Sequence, residues 1–200
     1  MCKQKEIDKI ILIDDLKETP AESKAVDAFY DILEYFIEYR GFDGYEKIKF
    51  IRNIKTIQLI LGDGKYEFKV DDDGIFEPKL NNAKPLDDGY SNEKYEQILN
   101  DTIEKIKVNE NGTLLMLDSV LDDNNINEKK GRERSESMLN QVFDDEDVKN
   151  KVKVLLYSAF FDNEYKKALK EIYKDLIIVD SSVDNPENMA FQIVKGLIES

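Results

Sequence analysis

Two apolar runs in this chain end in carboxylates: Lys9-Ile10-Ile11-Leu12-Ile13-Asp14-Asp15 and Gly112-Thr113-Leu114-Leu115-Met116-Leu117-Asp118. Neither run alternates with polar residues, which is the pattern of a strand covered on both faces. In an open parallel sheet, loops at the carboxyl ends of neighbouring strands converge on one crevice, so these runs are expected to bring Asp14, Asp15 and Asp118 together. Three carboxylates in one crevice repel each other unless a cation sits between them. The plainer account of any one of them is a cap at a strand end, which is common in α/β folds. The pairing of two such runs favours the metal account.

Composition narrows the rest. The 200 residues fit one domain, 1–200, with room for an insertion. A formal charge of −14 argues against binding a bare phosphate backbone, so no nucleic-acid partner is expected. Lys129, Lys130, Arg132 and Arg134 form one basic cluster, diluted by Glu128, Glu133 and Glu136. The chain has no histidine and a single cysteine, Cys2. Histidine catalysis, Cys/His zinc sites and an internal disulfide are therefore excluded within it. No apolar stretch approaches a membrane span and the N-terminus lacks a signal-peptide core, so the expected location is cytoplasmic with no membrane partner.

Several elements are needed to position the acids. Thr19-Pro20-Ala21-Glu22 reads as a capping box opening a helix with Ala25, Val26, Phe29, Ile32, Leu33, Phe36 and Ile37 on one face, ending at Gly41. Lys47-Ile48-Lys49-Phe50-Ile51 reads as a second, edge-like strand. Ile57–Leu61 and Lys65–Val70 flank Gly62-Asp63-Gly64 as a β-hairpin, with Lys65, Glu67 and Lys69 on a wet face and Tyr66, Phe68 and Val70 opposite. Asp71 to Tyr90 reads as irregular, so residues 54–90 look like an insertion. A lone hairpin is unstable, so it is expected to extend the sheet beyond the second strand and offer its free edge or wet face to a protein partner.

The alternation then resumes. Ser91 caps a helix with Tyr95, Ile98, Leu99, Thr102, Ile103 and Ile106 facing inward, and the Asp118 strand follows. Met138, Leu139, Val142 and Phe143 mark the next helix, Val152–Ser158 the fourth strand, and Tyr165, Ala168, Leu169 and Ile172 a further helix. Leu176–Val179 reads as the fifth strand and Asn185-Pro186 opens a last helix through Leu197. Five alternations of strand and helix predict a parallel sheet with helices on both faces.

This pattern, with Asp14-Asp15 ending the first strand, Asp118 the third and Ser158-Ala159 the fourth, resembles the receiver domain of response regulators (CheY-like). The resemblance implies a flavodoxin-like, doubly wound five-stranded parallel sheet of order 2-1-3-4-5, here with the hairpin inserted after the second strand. It implies that Asp118 accepts a phosphoryl group, that Asp14 and Asp15 hold Mg²⁺, and that the backbone carbonyl of Val120 completes the metal site. Ser158 would be the switch hydroxyl that bonds the phosphoryl oxygens, and a histidine kinase or other signalling protein would be the partner. Where the family has a lysine ending the fifth strand, this chain reads Val179-Asp180-Ser181-Ser182.

Two other readings stand beside this one. A degenerate pseudo-receiver would act only as a protein–protein interaction module. A small Mg²⁺-dependent phosphohydrolase forming an aspartyl-phosphate would need its two acids two residues apart, and Leu16 stands where the second should be. Elsewhere, Asp71-Asp72-Asp73-Gly74 fails as a calcium loop, because Lys69 and Leu80 would occupy ligand positions. Gly62-Asp63-Gly64 fails as a phosphate loop, because no helix follows it.

Overall fold

The computed structural model describes residues 7–15, 55–62, 64–69, 84–87, 95–121, 128–158 and 161–180. Among these, seven strands form one sheet: β1 (Ile7–Ile13), β2 (Thr56–Ile60), β3 (Lys65–Lys69), β4 (Lys84–Asp87), β5 (Gly112–Asp118), β6 (Val152–Ser158) and β7 (Ile177–Asp180). Four helices accompany them: α1 (Tyr95–Val108), α2 (Glu128–Asp144), the one-turn α3 (Glu146–Lys149) and α4 (Asn163–Ile172). The sheet order is β4-β3-β2-β1-β5-β6-β7. β1 pairs in parallel with β2 and β5, and β5-β6 and β6-β7 are also parallel. The two pairs at the other end, β2-β3 and β3-β4, are antiparallel. The expected mostly parallel α/β architecture is therefore present, in a sheet two strands wider than the expected five.

The extra width comes from the second arm of the hairpin, β3, and from β4, and the hairpin is not an appendage. Its first arm, β2, lies directly against β1 with Ile10 beside Ile57 and Leu12 beside Leu59. The place expected for Lys47–Ile51 is thus filled by Thr56–Ile60; Lys47–Ile51 itself lies outside the described residues, as do the expected helices over 20–40 and 186–197 and the Ser91 cap. A parallel strand beside β1 is buried on both faces, and Ile57, Leu59, Ile60 and Leu61 are all buried. The Leu61 amide donates to the Gly64 carbonyl at 2.9 Å to close the turn. A Cβ on Gly64 would stand 2.9 Å from the Tyr66 hydroxyl, so the turn and the ring share one space.

Two further expectations fail here. Lys65 on the supposed wet face is 6% exposed, with Nζ 3.5 Å from Asp101 of α1, because the sheet continues past β3 and α1 lies over it. The stretch read as irregular contributes β4, in which Pro85 pairs with Tyr66. A proline argues against a central strand but is tolerated in an edge strand, which needs ladder bonds on one side alone.

One core holds the described helices to the sheet. Ile11, Ile13, Ile60, Leu115, Leu117, Val154 and Leu156 form one cluster with Ile98, Leu99 and Ile106 of α1, Met138, Leu139 and Val142 of α2, and Leu169 of α4. The inward face of α1 matches its sequence pattern residue for residue. α4 departs from expectation: Leu169 alone is buried, Ala168 is exposed and Ile172 is 67% exposed. The alternate row, Ile10, Leu12, Leu59, Leu114, Met116 and Leu155, is equally buried. No described helix is long and apolar enough to cross a membrane.

If β2 is a structural member of the sheet, Leu59→Ala should cost about 2–5 kcal/mol of stability, as truncation of a fully buried leucine does. Ile172→Ala should stay within about 0.5 kcal/mol, as exposed substitutions do. Urea unfolding of the two variants reads both values, and near-wild-type stability of Leu59→Ala would return the hairpin to the status of an appendage.

Candidate metal centre

The register of three neighbouring strands builds the site. Ile13 of β1 lies beside Leu117 of β5, so the next residues along, Asp14 and Asp118, leave their strands at one level. On the far side of β5, Asp118 lies beside Tyr157 of β6. The Asp14 amide donates to the Ile60 carbonyl at 2.9 Å, which continues the β1-β2 ladder one residue into the loop. One ligand oxygen from each of Asp14, Asp15 and Asp118 lies within 4.8 Å of the others. The expected convergence of the three carboxylates is therefore present at the carboxyl edge of the sheet.

Burial makes this cluster electrostatically costly. Asp14 is 1% and Asp15 8% exposed. Burial raises the Asp118 carboxyl well above the ordinary carboxylate range, and the negative charge of Asp14 and then Asp15 adds to the rise. The Val120 and Ser119 amides pull the other way, Val120 N–H donating to Asp118 Oδ1 at 3.1 Å. Oxygen donors at this spacing and with this excess of negative charge suit a hard divalent cation. Such a cation would offset part of that negative charge.

Tyr157 is a site residue that the sequence reading passed over. Its hydroxyl donates to Asp14 Oδ2 at 2.7 Å, reaching across β5 from β6 to the loop after β1. Burial, followed by the neighbouring charge of Asp14, raises this phenol well above its usual value. It therefore stays a neutral donor throughout the working range of pH. The one available signal was local: Tyr157 is the one aromatic residue of Val152–Ser158 and stands at its carboxyl end, next to Ser158.

The loop that carries Asp118 out of β5 is clamped by α2. Ser135 Oγ donates to the Asp118 carbonyl at 2.8 Å, and the Arg134 guanidinium donates to the Leu121 carbonyl at 2.9 Å. Tyr95 of α1 in turn donates to the Arg134 carbonyl. Arg134, read from sequence as part of a basic surface cluster, is buried and serves this loop. Lys129 and Arg132 pair with Glu133 and Glu128 one helical turn away, so the cluster does not form a basic patch.

Ser158 is buried at the carboxyl end of β6, one residue beyond Tyr157, with Asp180 as its register partner on β7. Val120 meets Asp118 through its amide. No family model matches the chain, and no curated protein shows a significant match to it.

The raised Asp118 carboxyl has a signed consequence for stability. A group that holds its proton more tightly folded than unfolded favours folding while protonated, and that contribution is lost as pH rises from about 4, the unfolded value, through the folded one. Metal-free Asp118→Asn should therefore melt higher than wild type at pH 7.5, with the gap closing toward pH 4. In a chain of this size each kcal/mol moves the melting temperature by about 2–4 °C. A scan of melting temperature against pH in EDTA checks the sign, and a gap independent of pH would refute it.

Proposed function

We propose that this chain is a divergent receiver-like signalling module whose carboxylates Asp14, Asp15 and Asp118 hold Mg²⁺, with Asp118 as phosphoryl acceptor. The observation that carries the proposal is the mutual approach of three carboxylate oxygens within 4.8 Å at the ends of adjacent parallel strands. A flavodoxin-like arrangement is part of the same reading. The run of parallel strands β2-β1-β5-β6-β7 along the sheet supports it.

The chemistry follows from the residue types. An Asp118 carboxylate oxygen attacks phosphorus, an acyl-phosphate bond forms, the donor's bond to phosphorus breaks (P–N in a phosphohistidine, P–O in acetyl phosphate), and the leaving group departs with the electron pair. A bound Mg²⁺ supplies compensation for negative charge on the phosphoryl oxygens. Asp14 and Asp15 provide oxygens to hold it, the Val120 carbonyl would complete the set, and Ser158 would meet the phosphoryl oxygens after transfer. Ser135 and Arg134 keep the acceptor's loop fixed through its backbone carbonyls. A protein that delivers or reads the phosphoryl group, such as a histidine kinase, is the partner this chemistry calls for.

A second reading, the pseudo-receiver that works only through its surface, draws on the end of β7. The register partner of Ser158 at the end of β7 is Asp180, not the lysine that the family's pattern has at the end of its fifth strand.

Two measurements separate these. Mg²⁺ should raise the melting temperature of wild type relative to EDTA and leave Asp14→Asn unmoved, because ligand binding to the native state stabilises it by mass action. Equal shifts in both proteins would remove the metal site. Acetyl phosphate with Mg²⁺ should add one phosphoryl mass that Asp118→Asn abolishes. Metal binding without any labelling would favour the pseudo-receiver, and labelling at another residue would sink the receiver reading.

A further inference from the structure

Donors of the protein already engage an oxygen of Asp14 and an oxygen of Asp118. Tyr157 Oη donates to Asp14 Oδ2 at 2.7 Å, and the Val120 amide donates to Asp118 Oδ1 at 3.1 Å. The distinction between common divalent cations turns on how many oxygens a carboxylate offers. Ca²⁺ takes six to eight oxygens in flexible geometry and readily accepts both oxygens of one carboxylate, whereas Mg²⁺ demands six close to an octahedron and takes one oxygen from each. A donor on the second oxygen holds the carboxylate plane in one orientation and competes for its electron density, which disfavours two-oxygen chelation.

Resting on the metal-site reading above, we propose that Tyr157 is a specificity-determining residue: its hydroxyl holds Asp14 to single-oxygen coordination, so that the site selects a small octahedral cation, Mg²⁺ or Mn²⁺, over Ca²⁺. The residue suits this role by position and by chemistry. It is buried, it is fixed in β6 beside Asp118, and it reaches a carboxylate two strands away. A phenol adds no charge of its own. The Val120 amide imposes the same restriction on Asp118, but removing a backbone donor takes a proline, which also constrains the chain, whereas Tyr157→Phe removes one hydroxyl and keeps the ring.

Calorimetric titration of wild type and Tyr157→Phe with Mg²⁺, Mn²⁺ and Ca²⁺ tests the assignment. Wild type should bind Mg²⁺ and Mn²⁺ in preference to Ca²⁺. In Tyr157→Phe the Mg²⁺ affinity should fall about tenfold, the lower end of what losing a partner of a metal ligand costs. The Ca²⁺ affinity should fall less or rise, so the ratio moves toward Ca²⁺. If both affinities change by one common factor, Tyr157 is a packing residue and this inference fails while the metal site stands. A wild type that binds none of the ions defeats the metal site and the inference together. Should Tyr157→Phe not fold, infrared difference spectra of wild type with and without Mg²⁺ decide the matter, with Asp14→Asn assigning the Asp14 bands. Carboxylate stretches split as for single-oxygen ligation support the proposal, and those of a chelating carboxylate overturn it.

Discussion

Mutual repulsion among three carboxylates is the constraint around which the middle of this protein is arranged. Left in water, Asp14, Asp15 and Asp118 would separate and hydrate; here strand pairing holds them within 4.8 Å of one another, with Asp14 and Asp15 buried. Groups placed so must be neutralised by a proton, by hydrogen-bond donors or by a cation. The first two are visible: the Asp118 carboxyl holds its proton more tightly than usual, and Tyr157 and Val120 supply donors. The three oxygens also lie close enough together that they could hold an ion.

What can hold such a cluster is the sheet beneath it. β1 has parallel neighbours on both sides, β2 and β5, and its residues Ile10 to Ile13 are fully buried. The β2-β3-β4 side adds width and shields β1 from being an edge, which keeps Asp14 tied to the Ile60 carbonyl. On the other side, α2 grips the loop after Asp118 through Ser135 and Arg134 while its apolar stripe enters the common core. Positioning of the acids thus depends on packing at some distance from them.

The sheet also accounts for polar groups that look misplaced on composition alone. Lys65 is buried against Asp101, and Lys105 of α1 donates to the buried Gln58 at 3.1 Å. Burial, with Lys65 nearby, lowers the Lys105 ammonium below its ordinary value. These contacts seat α1 over β2 and β3, where an apolar stripe alone would leave its orientation less defined.

The sequence by itself determined the strands and helices whose burial is set locally. The apolar runs Ile10–Ile13 of β1, Leu114–Leu117 of β5 and Val154–Tyr157 of β6 and the stripe of α1 admit one placement, because period and hydrophobicity agree over those residues. The acids at the ends of β1 and β5 were legible for the same reason, since a carboxylate terminating a buried strand has to emerge at the sheet's edge. Tertiary structure alone decided which strand lies beside β1. Lys47–Ile51 and Thr56–Ile60 are both short β-prone segments, and the choice between them depends on pairing over more than forty residues of chain. It likewise decided that Lys65 and Arg134 turn inward and Ile172 outward, because a side chain's environment belongs to whatever packs against it. Tyr157 belongs to this second group: its role arises from a register between strands, and register is a relation between segments that no single segment encodes.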